Sequence, residues 1–128
     1  MSTDLKTANV DNSILSFKIV ADEQINQVAI VDVTQGAGTL YKIEIDATAA
    51  TSHQYLKLKF TTTEIAVGTT TPDMVLMCAS QKRTLLCLPG GLAYTGLSAW
   101  LVTSQADSAN TNTESSNNRN TTVRFITS

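Results

Sequence analysis

TLYKIEIDAT, residues 39–48, alternates apolar and polar side chains almost one for one. Tyr41, Ile43 and Ile45 fall to one side and Lys42, Glu44 and Asp46 to the other. That is the period of a β-strand with one buried face, because successive Cβ atoms point to opposite sides of a pleated chain. Downstream, YLKLKFTT (55–62) repeats the pattern, with Leu56, Leu58 and Phe60 opposite Tyr55, Lys57 and Lys59. The turn between them, 49–53, is short enough for an antiparallel hairpin. In such a hairpin the acids of the first strand would lie across from the lysines of the second on a solvated face, each pair contributing about 0.2–1 kcal/mol.

The same reading extends along the chain. SILSFKIV (13–20) puts Leu15, Phe17 and Ile19 on one face, and QVAIVDV (27–33) is apolar enough to be largely buried. MVLMC (74–78) and TLLCL (84–88) flank the polar turn SQKR, and LSAWLVT (97–103) and TTVRFIT (121–127) follow. Apolar residues nowhere repeat at helical spacing for long. About eight short strands with no covering helices predict an all-β protein, an antiparallel β-sandwich or jelly roll, with a small barrel as the alternative.

A chain of 128 residues with 42% hydrophobic content suffices for a single core. The expected organisation is a flexible N-terminal arm, 1–12, and one β-sandwich domain, 13–128. That domain carries a polar loop at 104–120, SQADSANTNTESSNNRN, without a large apolar residue. Arm and loop read as disordered, or as ordered only against a partner. The net charge is −2 and the nine Lys/Arg residues are scattered, which argues against a nucleic-acid partner. Residues 1–12 lack the apolar stretch of a signal peptide or anchor, and 74–79 is too short to span a bilayer, so synthesis in a cytoplasm without membrane attachment is expected.

One stretch imitates an enzyme motif. In GLAYTGLS (91–98), Gly91, Gly96 and Ser98 occupy the glycine, glycine and hydroxyl positions of a phosphate-binding loop, but Leu97 stands where the lysine belongs. The residues that follow are strand-like, so no helix N-terminus would face the phosphate. A structural reading fits better: Pro89 ends a strand, Gly90 and Gly91 permit a turn, and Gly96 permits a second one. His53 is the only histidine and lies in a turn, so neither a catalytic triad nor a zinc site is expected.

Cys78 and Cys87 would be offset in a hairpin, Cys87 falling opposite Val75, and they read as two buried free thiols. The eleven acids form no calcium-loop pattern. Trp100 sits in an apolar run, the setting of a core or subunit-interface residue, with a sugar-stacking platform as the alternative. The sequon at Asn120 would matter only in a secreted eukaryotic protein. No catalytic, cofactor-binding or metal-ligating residue is assigned, and an enzyme is not expected.

Four stretches carry a resemblance: GTLYKIEID (38–46), YLKLKF (55–60), VGTTTPDMVL (67–76) and LPGGLAYTGLSAWLVT (88–103). In order and character they resemble small β-sandwich structural proteins of tailed bacteriophage virions, of the capsid decoration or cement type. The match spans about half of the chain, and SQKR and the long polar loop depart from it. The resemblance implies a virion component on the capsid exterior that binds the major capsid protein and associates with itself, a homotrimer being favoured. It implies no cofactor and no catalytic residue. A tail, neck or fibre-associated virion protein would carry the same signature, and a carbohydrate-binding module is the further alternative.

Overall fold

The computed structural model describes residues 5–12, 15–112 and 121–128, with side chains described from Phe17 onward. Eight strands are present: β1 (Leu5–Asn12), β2 (Leu15–Asp22), β3 (Gly38–Asp46), β4 (Gln54–Lys59), β5 (Met74–Cys78), β6 (Arg83–Tyr94), β7 (Ser98–Val102) and β8 (Thr122–Thr127). They form a five-stranded sheet, β1-β2-β8-β3-β6, and a three-stranded sheet, β5-β4-β7. Every ladder is antiparallel, and the described residues contain no helix. The fold is an antiparallel β-sandwich.

Alternation builds the core. Val20, Leu40, Ile43, Ile45, Val123 and Phe125 from the larger sheet meet Leu56, Leu58, Ala99 and Leu101 from the smaller one, all buried. Such side chains contribute about 1.5–3 kcal/mol each when fully buried, which makes this seam the main favourable contribution to the fold.

Several expectations are corrected. TLYKIEIDAT and YLKLKFTT do not pair: β3 lies between β6 and β8, while β4 lies between β5 and β7, so the 47–53 link crosses from one sheet to the other. MVLMC and TLLCL do not form a hairpin either, because residues 79–82 cross back between the sheets. The two crossings run side by side, Ala47 N–H donating to Lys82 O and Gln81 N–H to Ala47 O at 3.0 and 2.9 Å. The segment expected as a flexible arm supplies β1 from Leu5 on, paired with β2. QVAIVDV is not a strand but touches β7 by one bridge, Ile30 to Ala99, with Val28 and Val31 exposed.

Pro89-Gly90-Gly91 is not a turn between strands. It lies inside β6, where both flanks pair with β3: Cys87 opposes Lys42 and Leu92 opposes Leu40, leaving residues 88–91 facing Tyr41 alone. The bulge turns Tyr41 to the outer face with Lys42, where its ring packs edge-on against Phe17, centroids 5.3 Å apart. Gly91 has φ 81°, and a Cβ there would come within 2.3 Å of Thr39 Cγ2 and 2.8 Å of Tyr41 Cε1. Only glycine satisfies both conditions.

Candidate functional site

Strands β5 and β6 each end a sheet, and the 79–82 link joins them, so two strands without a second ladder partner meet there among the described residues. Their sequences, MVLMC and TLLCL, are apolar on both faces, a composition normally found in strands covered on both sides. Here the inward residues Met74, Leu76, Leu86 and Leu88 pack against the core only partly buried. The outward residues are open to solvent: Val75 is 39%, Met77 48% and Leu85 55% exposed.

On the small sheet, Tyr55, Val75 and Met77 with Gln105 line a hollow of about 330 Å³. On the large sheet, Leu85 opens onto a hollow of about 210 Å³ whose other walls include Glu44, Asp46, Arg83 and Arg124. Lys42 and Glu44 pair at 3.1 Å, and Arg83 and Asp46 at 3.5 Å. Hydrogen bonds from the Thr48 hydroxyl and amide hold the Asp46 carboxyl below its ordinary range, with Arg83 and Arg124 adding to the effect. Each edge strand thus carries exposed apolar side chains on its outer face, and on the large sheet charged residues border them, the mixture of apolar centre and polar rim that protein–protein interfaces use.

Both sheet ends display backbone edges and apolar side chains. Among the described residues no group of three His, Cys, Asp or Glu gathers to hold a metal, and no helix is long and apolar enough to cross a membrane. His53 is exposed and accepts a hydrogen bond from Ser80 N–H at Nδ1, 3.0 Å away, which ties its turn to the β5–β6 link. Ser98, in the hydroxyl position of the phosphate-loop pattern, is buried, donates to Thr61 O at 3.0 Å and accepts from Asp32 N–H at 3.1 Å. Gly96 packs onto the Thr61 carbonyl, where a Cβ would sit 2.7 Å from the oxygen. GLAYTGLS is therefore a strand end, a crossing between sheets and the start of β7.

The two cysteines part company. Both are free, but Cys78 is buried while Cys87 is exposed on the outer face of β6, correcting the expectation of two buried thiols. Burial pushes the Cys78 thiol up to about 12. Trp100 is 1% exposed, the burial expected of a core or interface residue.

The polar loop is described as far as Asn112, and 113–120 lies outside the described residues, as does Asn120 of the sequon. Its described part packs on the outer face of the small sheet. Lys57, expected on a solvated face, is fully buried and donates from Nζ to Ala106 O, and burial pushes its pKa down against an opposing pull from Asp107. Nothing near Lys57 in the sequence signals this, because its acceptor lies 49 residues away.

The fold and surface thus define a β-sandwich with an apolar edge that no described residue covers. No protein-family model, curated protein or solved structure matches the chain.

Proposed function

We propose that the chain is a virion structural protein that works by burying interfaces, most specifically a capsid decoration protein that binds the outer shell of a tailed bacteriophage. The observation that supports an interface role is the β5–β6 edge: two strands apolar on both faces, exposed, and rimmed by Lys42, Glu44, Asp46 and Arg83. Copies of the chain associate through this edge, in trimers, and the assembled ring rests on the major capsid protein. The virion setting rests on the resemblance of the 38–103 stretches.

Specific interfaces bury roughly 1,200–2,000 Å², and many copies on a shell bind multivalently, so modest contacts suffice for high occupancy. The alternative position, at the tail or neck, shares the edge and differs only in the partner.

The test uses Met77→Lys together with Leu85→Lys in the full-length protein. Sedimentation velocity should show an oligomer for the parent chain and a monomer for the double variant. Particles lacking the protein should take up the parent chain on their shells and fail to take up the variant. A monomeric parent chain, with equal uptake of both proteins, overturns the proposal; electron density confined to the tail or neck selects the alternative.

A further inference from the structure

The outer face of the small sheet is buried at one end and bare at the other. Trp100 and Val102 of β7 and Lys57 of β4 are 0–1% exposed, whereas Val75 and Met77 of β5, on the same face, are 39% and 48% exposed. The sheet itself offers no reason for the difference. The change falls where the 103–112 segment ends its reach, with Gln105 forming one wall of the hollow at Tyr55, Val75 and Met77. A second loop meets the segment from the other side, Gly68 lying against Asn110 and the Ser108 carbonyl.

The fastening of this segment is unusual for something that lies over the face holding Lys57 and Trp100. It has no large apolar residue, and 104–108 are all exposed. At its base Thr103 N–H donates to Thr111 O at 3.0 Å, Asn112 Nδ2 to Leu101 O at 3.1 Å, and Gln54 Nε2 to Asn112 Oδ1 at 3.2 Å. At its tip the Lys57 ammonium donates to Ala106 O. Closure also carries costs that opening would return: a buried ammonium, and a Trp100 Nε1–H that has no acceptor among the described residues. The apolar seam between the sheets does not depend on the segment.

We infer that residues 103–112 form a hinged cover, fastened at its base by Asn112 and at its tip by Lys57, which opens as a unit and uncovers Trp100 while the sandwich beneath stays folded. A covering element without a large apolar residue of its own and with residues 104–108 exposed belongs to the low-stability end of a structure, which opens locally long before global unfolding.

Trp100 is the only tryptophan, so its fluorescence reads the cover directly. Thr103 and Thr111 are already hydrogen-bonded neighbours, so 104–110 can be replaced by Asn-Gly to close the hairpin without the cover. In that variant, with far-UV circular dichroism unchanged, acrylamide quenching of Trp100 should rise about fivefold. Asn112→Ala should give a smaller rise, about twofold, and speed the labelling of Lys57 by an amine-reactive acetyl ester in parallel. By hydrogen exchange, the Thr103 and Ala109 amides of the unaltered protein should exchange at least a hundredfold faster than those of Ala99 and Leu101. A folded Asn-Gly variant with Trp100 still shielded overturns the inference. So does exchange of the Thr103 and Ala109 amides at the same rate as Ala99 and Leu101.

Discussion

Strands β5 and β7 flank β4 in the same small sheet, each is five residues long, and each is mostly apolar, yet they meet opposite fates. All of SAWLV is buried, while MVLMC alternates between half-buried and exposed until Cys78. The difference comes from elsewhere in the chain. The 26–33 segment lines the far edge of β7, with Ile30 and Ala99 exchanging hydrogen bonds of 2.9 and 3.0 Å and Leu101 N–H donating to Asn26 O at 2.8 Å. The 103–112 segment covers its outer face. Nothing comparable reaches β5 among the described residues. Burial in a sheet is conferred by what lies beside and above a strand, and apolar composition only makes the covering favourable.

The comparison can be broken most forcefully at Leu101. Leu101→Ala should cost about 2–5 kcal/mol in urea unfolding, the range for a buried leucine that leaves a cavity. Met77→Ala on β5, measured at a concentration low enough to keep the chain monomeric, should change stability by less than about 0.5 kcal/mol, as an exposed site does. Comparable losses at the two positions under that condition would show that β5 is covered within the single chain.

The thiols sharpen the same contrast between the inside and outside of the open edge. Native protein treated with iodoacetamide at pH 8 should lose Cys87 and keep Cys78, the buried thiol reacting at least about a hundredfold more slowly because the thiolate is the nucleophile and burial suppresses it. Mass spectrometry of the alkylated protein reads the two sites separately, and in denaturant they should react alike.

A smaller effect is expected at Ser98, where β7 is tied to the 61 and 32 segments by one hydroxyl. Ser98→Ala should cost about 1–2 kcal/mol, since it leaves a carbonyl and an amide each short of a partner. The smallest effect belongs to Asp73, which precedes β5 and accepts from Phe60 N–H at 2.9 Å and Lys59 Nζ at 3.1 Å. The Phe60 bond, and then Lys59, hold its carboxyl below the ordinary range. A depressed folded-state pKa contributes stability that is complete above the unfolded value of about 3.9 and is lost as pH falls through the lower, folded value. The carboxylate is 39% exposed, so the contribution should stay under about 1 kcal/mol. Asp73→Asn should flatten that part of the stability profile below pH 4, lowering stability at neutral pH by that same amount, under about 1 kcal/mol, and converging with the parent protein in acid.

Which residues would be strands was legible where alternation was clean: β5, β7 and β8 lie within the stretches whose patterns predict them, and β3 and β4 start one residue before theirs. β6 runs past its predicted end because two glycines at φ 80° and 81° let the chain continue through a bulge, where Pro-Gly-Gly reads locally as a stop. QVAIVDV has the composition of a strand but lies across the edge of β7. The apolar strip of the candidate site was visible as MVLMC and TLLCL, although nothing in those runs told a covered strand from an edge. Lys57 was misplaced for the same reason: alternation assigns a side chain to a face and is silent on whether the face is wet.

By itself, then, the amino-acid sequence determined the strand period, the absence of helices among the described residues and, away from the bulge that turns Tyr41 outward, which side chains share a face. These follow from the direction of each Cβ and involve only near neighbours in the chain. The tertiary structure alone decided which strands pair, that β5 and β6 are edges, and that Lys57 and Trp100 are buried on the outer face of the small sheet. Those outcomes rest on contacts between residues tens of positions apart, such as Lys57 with Ala106 and Gln54 with Asn112, whose energies no local pattern encodes.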